Sequence, residues 1–210
     1  MLKIKAHLFE DGYDGFKGHV AHIRVKLEAK PVFHKPLRVP YASREPVEAE
    51  LRKLEENGVI KKVEKSKWAS PIGVVPKADR SVRICGDYEV SINPSLEDEQ
   101  MTLPTTQNLY VQMAGSQVFT KLDLSHAYAQ LKVEETSIKL LTINIHKGLY
   151  AYLKLPYGAK SSPKIFQSKI DQILQGIPKC GCKQDDILIG GNDENLDILQ
   201  MVLKVSLKII

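Results

Sequence analysis

Val118-Phe119-Thr120-Lys121-Leu122-Asp123 is a β-prone run that ends on a carboxylate, and Gln184-Asp185-Asp186-Ile187-Leu188-Ile189-Gly190 is a second run that opens on a pair of them. β-Branched and aromatic side chains suit the pleated strand, and the Gly190-Gly191 pair supplies a stop. What lies between the two runs decides the fold class. Leu140 to Ile145 and Leu149 to Leu155 flank His146-Lys147-Gly148, the pattern of a hairpin. Ser162-Pro163 then opens a helix whose apolar face is Phe166, Ile170, Ile173 and Leu174, closed by Gly176. Strands joined by hairpins, with helices between them, predict an α+β fold with a mostly antiparallel sheet, in preference to a doubly wound parallel one.

Upstream, Leu103 to Met113 has helical spacing and is entered through Pro104. Ile72 to Val75 and Val82 to Cys85 are short β-prone runs around the polar Lys77 to Ser81, which predicts another hairpin. A helix is expected from Ser43, with Ser43 as cap, Pro46 in the first turn, Val47, Leu51 and Leu54 on one face, and Asn57-Gly58 as the stop. The first forty residues carry Pro31, Pro36 and Pro40 with no clean period, and are expected to form an extended lead-in. A final amphipathic pattern runs through Leu196, Leu199 and Leu203, and no internal repeat is visible.

Composition bounds the class without choosing it. The 210 residues are 43% hydrophobic and 26% charged, ordinary for a globular chain. A net charge of +5 permits an anionic partner but does not demand one, because 25 acidic residues are mixed with 30 basic ones. No signal-like apolar run follows Met1 and no stretch is long enough to span a bilayer, so a soluble intracellular protein with no membrane partner is expected. The three cysteines, Cys85, Cys180 and Cys182, are too few for a disulfide framework, and neither Cys180-x-Cys182 nor His19-x-x-His22 completes a zinc pattern.

The carboxylates suggest specific chemistry. Mg²⁺ prefers hard oxygen ligands and usually takes one or two carboxylates plus substrate phosphates. If the strands ending at Asp123 and beginning at Asp186 are neighbours, the lone and paired aspartates suit two-metal phosphoryl transfer. Spacing alone leaves the alternative open, since acidic pairs also serve turns by hydrogen-bonding their own backbone.

A series of further blocks, in order, resembles the reverse transcriptases of gypsy-type LTR retrotransposons. Trp68-Ala-Ser-Pro71-Ile and Ser81-Val-Arg83-Ile-Cys-Gly-Asp87-Tyr88 resemble fingers motifs of that family. Val118 to Tyr128 resembles the motif around its first catalytic aspartate. Asn144-Ile-His-Lys-Gly148-Leu-Tyr150, Leu155-Pro-Tyr-Gly158 and Ser162-Pro163-Lys-Ile-Phe166-Gln167 resemble central palm motifs, and Gln184 to Gly190 resembles the Y-x-D-D hairpin. The resemblance implies a right-hand polymerase arrangement of fingers and palm, the palm an antiparallel sheet backed by helices. It implies residues 1–40 as lead-in, 41–115 as fingers-type and 116–210 as palm-type, with 130–160 partly fingers.

The resemblance also implies roles. Asp123, Asp185 and Asp186 would be catalytic, holding Mg²⁺ or Mn²⁺ with the backbone carbonyl of Leu124 as a further oxygen. Lys77 and Arg83 would hold the triphosphate of a deoxynucleotide, the guanidinium fork suiting phosphate oxygens. Tyr128 would meet a ribose 2′-hydroxyl and so select deoxynucleotides, and Tyr157 and Gly158 would lie beneath nucleotide and template. The partners would be an RNA or DNA template-primer and deoxynucleoside triphosphates.

Some positions depart from the family pattern. Lys183 replaces the tyrosine of Y-x-D-D, and an ammonium there is expected to pair with the aspartates in competition with metal. The strand leading to it is Lys179-Cys-Gly-Cys-Lys183, whose glycine and lysines are expected to weaken it. Arg80 takes a turn position usually held by glycine, where strain is expected. The sequence stops soon after the acidic hairpin, so a thumb is expected to be absent. These departures give a second reading, a catalytically inert remnant that still binds nucleic acid.

Overall fold

The computed structural model describes residues 13, 15–79, 81–98, 101–192, 199, 201 and 202. Arg80, Leu196 and Leu203, and with them the expected turn strain and most of the last amphipathic pattern, lie outside the described residues. Along the chain come β1 (Val20–Ala21), α1 (Tyr41–Glu56), β2 (Ile60–Val63), β3 (Ile72–Pro76), β4 (Val82–Gly86), α2 (Thr106–Gln112) and β5 (Val118–Asp123). They are followed by β6 (Lys132–Val133), α3 (Glu135–Ile138), β7 (Thr142–Ile145), β8 (Gly148–Tyr152), α4 (Ser162–Leu174), β9 (Cys180–Lys183) and β10 (Asp186–Gly191). The chain clusters into two compact units, one of residues 1–19, 100–130 and 163–210, the other of 20–99 and 131–162.

In the second of these units, β2, β8 and β7 form an antiparallel sheet in the order β2-β8-β7, and β3 and β4 form the expected hairpin. The lead-in from Val20 onward is stitched to this unit. Its β1 pairs in parallel with β6, and isolated bridges join Val25 to Leu96 and Phe33 to Ala69. Helix α1 packs on β4 and β2 through Val47, Leu51 and Leu54, all buried at i, i+4 and i+7. Each such side chain contributes about 1.5–3 kcal/mol when fully buried.

The helix starts two residues before the expected cap. Pro40 holds the cap position, Ser43 lies inside, and the Ser43 amide donates to the Pro40 carbonyl at 2.9 Å. Pro46 therefore sits beyond the first turn, inside the helix, where its missing N–H removes one helical bond.

The other unit is built on the antiparallel order β5-β10-β9, with α2 against β9. Helix α2 begins at Thr106, later than the expected entry at Pro104. Thr105 is the reason: its Oγ1 accepts from the Asn108 amide at 3.3 Å, and Asn108 Oδ1 accepts from the Thr105 amide at 2.9 Å, a reciprocal capping box. Of the face of α4 read from the sequence, Phe166, Ile170 and Leu174 are buried, at 0%, 2% and 7% exposure, and Ile173 is half-buried. Among the described residues no helix is long and apolar enough to cross a membrane.

The strand expected to be weak is formed. Gly181 fits it: a Cβ there would crowd the Leu109 and Gln112 side chains of α2, standing 2.6 Å from Leu109 Cδ2, so α2 lies close against β9 where the strand has no side chain. Cys180 and Cys182 pair in register with Ile189 and Ile187; Cys182 is buried with them and Cys180 is half-buried.

Candidate active site

Strand alternation sends β10 side chains to opposite faces. Ile187 and Ile189, at 3% and 0% exposure, are core, which leaves Asp186 and Leu188 on the other face. Asp186 is the direct cross-strand partner of Asp123, and Leu188 that of Lys121. Facing partners in an antiparallel pair hold their Cβ atoms about 4.5–5.5 Å apart. Beyond the ladder, the Leu124 amide donates to the Asp185 carbonyl at 2.8 Å, tying the end of β5 to the turn that carries the acidic pair. Asp123, Leu124, Asp185 and Asp186 are thus brought to one corner of the sheet.

Lys121 lies two residues before Asp123 on the same strand face, and its Nζ is 2.9 Å from Asp186 Oδ2. The hydrogen bond to Asp186, then the attraction of Asp186 and of Asp123, hold this ammonium above the usual lysine range. The donor chemistry fits a hard divalent cation, since two carboxylates face each other and an ammonium already rests on one of them. Among the described residues, no three carboxylate, imidazole or thiol side chains converge as a metal cluster. The sheet aligns Asp123 with Asp186, and Asp185 joins them through its backbone.

The turn itself is held from behind. Gln184 has a positive φ of 57°, uncommon for a residue with a side chain. Gln167 of α4, fully buried, secures it: Nε2 donates to the Cys182 carbonyl at 2.8 Å, and Oε1 accepts from the Gln184 amide at 3.1 Å. Lys183 does not pair with the aspartates as expected. Its Nζ donates to Thr106 Oγ1 at 2.8 Å, because α2, admitted by Gly181, offers a hydroxyl within reach.

Tyr128 lies in the short 3-10 turn Ala127–Gln130, 7% exposed, its ring tilted against Phe166 with centroids 5.2 Å apart. Phe16 stacks on the same Phe166 at 6.1 Å, so Tyr128 belongs to an aromatic cluster.

In the unit of 20–99 and 131–162, Lys77 stands at the end of β3, where its amide donates to the Ser81 carbonyl at 2.8 Å and closes the hairpin. Asp79 Oδ1 accepts from the Ser81 amide at 3.0 Å and from Ser81 Oγ at 2.6 Å. Those bonds hold its carboxyl below the usual range. The Arg83 guanidinium lies 5.5 Å over the Tyr157 ring, so two of the expected nucleotide-binding residues meet as a cation–π pair. Gly158 has φ +94°, and a Cβ on it would stand 2.8 Å from the Gly86 carbonyl oxygen. Its glycine is required by close approach to β4.

Sequence reasoning quoted Gln167 and Lys121 but assigned neither a role. Both carried a signal. Gln167, Ile170 and Leu174 follow i, i+3, i+7, so an amide falls on the buried face of α4, and a buried amide needs partners. Lys121 and Asp123 are two apart in a strand and so share a face.

The family model described as reverse transcriptase (RNA-dependent DNA polymerase) matches residues 60–209. An uncharacterized protein of Caenorhabditis elegans is 36% identical over 187 residues, covering 88% of this chain and 15% of that protein. A Tf2 transposon polyprotein of Schizosaccharomyces pombe is 27% identical over 228 residues, covering 97% of this chain and 17% of its own length. The retrovirus-related Pol polyprotein from transposon opus of Drosophila melanogaster is 29% identical over 180 residues, covering 82% and 18%. The chain therefore spans about a sixth of the length of these relatives. Among solved structures, the prototype foamy virus protease-reverse transcriptase matches with a TM-score of 0.85 at 19% identity, over 99% of this chain and 28% of that one. The foamy viral protein in complex with RNA/DNA hybrid matches with a TM-score of 0.83, also at 19% identity, over 99% and 28%.

Proposed function

The chain belongs to the reverse transcriptase (RNA-dependent DNA polymerase) family, and from that premise we propose that it adds deoxynucleotides to a primer on an RNA or DNA template, with Asp123, Asp185 and Asp186 as its catalytic carboxylates. The observation that carries this is the pairing of Asp186 with Asp123 across β10 and β5, with Leu124 bonded to Asp185 beside it. The foamy viral relatives bound to double-stranded DNA and to RNA/DNA hybrid support a nucleic-acid partner. Residues 1–40 serve as lead-in, 41–115 as fingers-type and 116–210 as palm-type, with 130–160 partly fingers. The clustering of 131–162 with 20–99 supports that interleaving, while 100–115, with α2, clusters with the β5-β10-β9 sheet.

Enzymes of this family generally depend on a divalent metal, and Mg²⁺ or Mn²⁺ supplies Lewis-acid activation of the primer hydroxyl and neutralisation of the triphosphate. Asp123 and Asp186, on facing strands, would hold the cation, with Asp185 and the Leu124 carbonyl as further protein oxygens. In the reaction the primer 3′-oxygen bonds to the α-phosphorus while the bond to pyrophosphate breaks, and the chain's work is positioning and charge. Arg83, steadied by the Tyr157 ring, and Lys77 bind phosphate oxygens. Tyr128, held by Phe166, excludes a 2′-hydroxyl, and Tyr157-Gly158 supports nucleotide and template.

The reading of an inert remnant leaned in part on Lys183 neutralising the aspartates, and the bond from Lys183 to Thr106 removes that part of its support. Primer extension on RNA and DNA templates with Mg²⁺ or Mn²⁺ tests the proposal. Extension by the natural chain, lost in Asp185→Asn, is expected; no extension under either metal overturns it.

A further inference from the structure

We infer that Lys121 is an intramolecular counter-ion of the carboxylate pair, its ammonium engaging a carboxylate oxygen that a divalent cation would need, so that its displacement sets the affinity of the site for metal. The inference rests on the reading of Asp123 and Asp186 as metal-holding residues. Lys121 and Asp123 share a strand face, and Asp186 is the diagonal neighbour of Lys121 on β10, within the reach of a long side chain. The Nζ to Asp186 Oδ2 distance is 2.9 Å, and Asp123 attracts the same ammonium. The other lysine that could neutralise the pair, Lys183, is Asp186's cross-strand partner on β9, yet it is bonded to Thr106. Among the described residues, Lys121 is therefore the cation that balances two like charges held face to face.

The ion pair is poised to open. The Lys121 side chain is 58% exposed and that of Asp186 39%, and a pair so open to water is weak. The ammonium can swing into solvent at little cost when a doubly charged ion arrives. With it in place, the carboxylates are kept apart from each other's charge in the empty state, and metal entry becomes an exchange of one cation for another. Removing the ammonium removes the competitor, so metal should bind more tightly.

Mn²⁺ titration of the whole chain, followed by the loss of the free-ion electron paramagnetic resonance signal, reads this without any catalytic step. Lys121→Gln is expected to bind Mn²⁺ about 2- to 5-fold more tightly than the natural chain, the range an exposed pair supports. Lys121→Arg, which keeps the charge, should stay within about twofold of the natural chain, and the contrast separates charge from packing. Equal or weaker binding in Lys121→Gln, or equal gains in Gln and Arg variants, overturns the inference. Asp123→Asn and Asp186→Asn distinguish the two levels. If both lose Mn²⁺ binding while Lys121→Gln matches the natural chain, the counter-ion role fails and the metal reading stands. If neither aspartate variant changes binding, or no chain binds Mn²⁺, the metal reading fails and the counter-ion role with it.

Discussion

Asp186 stands directly opposite Asp123 on neighbouring antiparallel strands, so two carboxylates face each other at an open corner of the β5-β10-β9 sheet. Facing like charges oppose folding. A residue arranged this way contributes little to stability, which is the mark of a site and not of a scaffold. Asp123→Asn is expected to change unfolding free energy by no more than about 0.5 kcal/mol, in either direction, by urea denaturation. A loss above about 1.5 kcal/mol would assign Asp123 a structural duty instead.

Gln167 is expected to be the opposite case. Its amide satisfies the Cys182 carbonyl and the Gln184 amide behind the acidic turn. Gln167→Leu keeps the volume and strands the buried Cys182 carbonyl, at a cost of about 1–3 kcal/mol, and frees the part-buried Gln184 amide to water. Urea denaturation reads the loss, and amide exchange at Gln184 should accelerate more than at Lys121. Unchanged exchange at Gln184 would show that the turn holds without its anchor.

At Gly181 the constraint is steric. A Cβ there would collide with Leu109 of α2, so Gly181→Val should cost about 1–3 kcal/mol through overpacking. Because displaced α2 takes Thr106 away from Lys183, the substitution should also weaken Mn²⁺ binding, by freeing a second ammonium beside Asp186. Full stability in Gly181→Val would refute the close packing of α2 on β9.

Burial raises the Cys180 thiol to about 11. The thiolate is the reactive form. Alkylation of Cys180 by iodoacetamide at pH 8 should therefore run about a hundredfold slower than that of a thiol at the ordinary value of 9.0, and should keep rising through pH 10. The sign for stability follows. An acid whose folded value exceeds its unfolded one contributes fully below pH 9 and loses that contribution as pH climbs towards 11. Rates that level off near pH 9 would contradict the burial.

Much of the fold was legible because its signals are local. The face of α4, the hairpins β3-β4 and β7-β8, and a strand ending on Asp123 all follow from periodicity and turn residues within short windows. Helix starts were less legible. Thr105 and not Pro104 caps α2, and Pro40 and not Ser43 stands before α1, because several neighbouring residues could each begin a helix and the surrounding chain selects among them.

The sequence by itself determined which residues could carry the chemistry: the acidic runs, the order of the motif blocks, and so the family. Tertiary structure alone decided what those residues face. Cross-strand register set Asp186 against Asp123 and delivered Lys121 to the pair, and the pairing partner of a strand is written nowhere in the strand itself. The same holds for Lys183. Its sequence position beside the aspartates suggested a rival cation, yet its direction was settled by α2, a helix remote in sequence that Gly181 admits. Charge is a property of the residue, whereas the partner of a charge is a property of the packing.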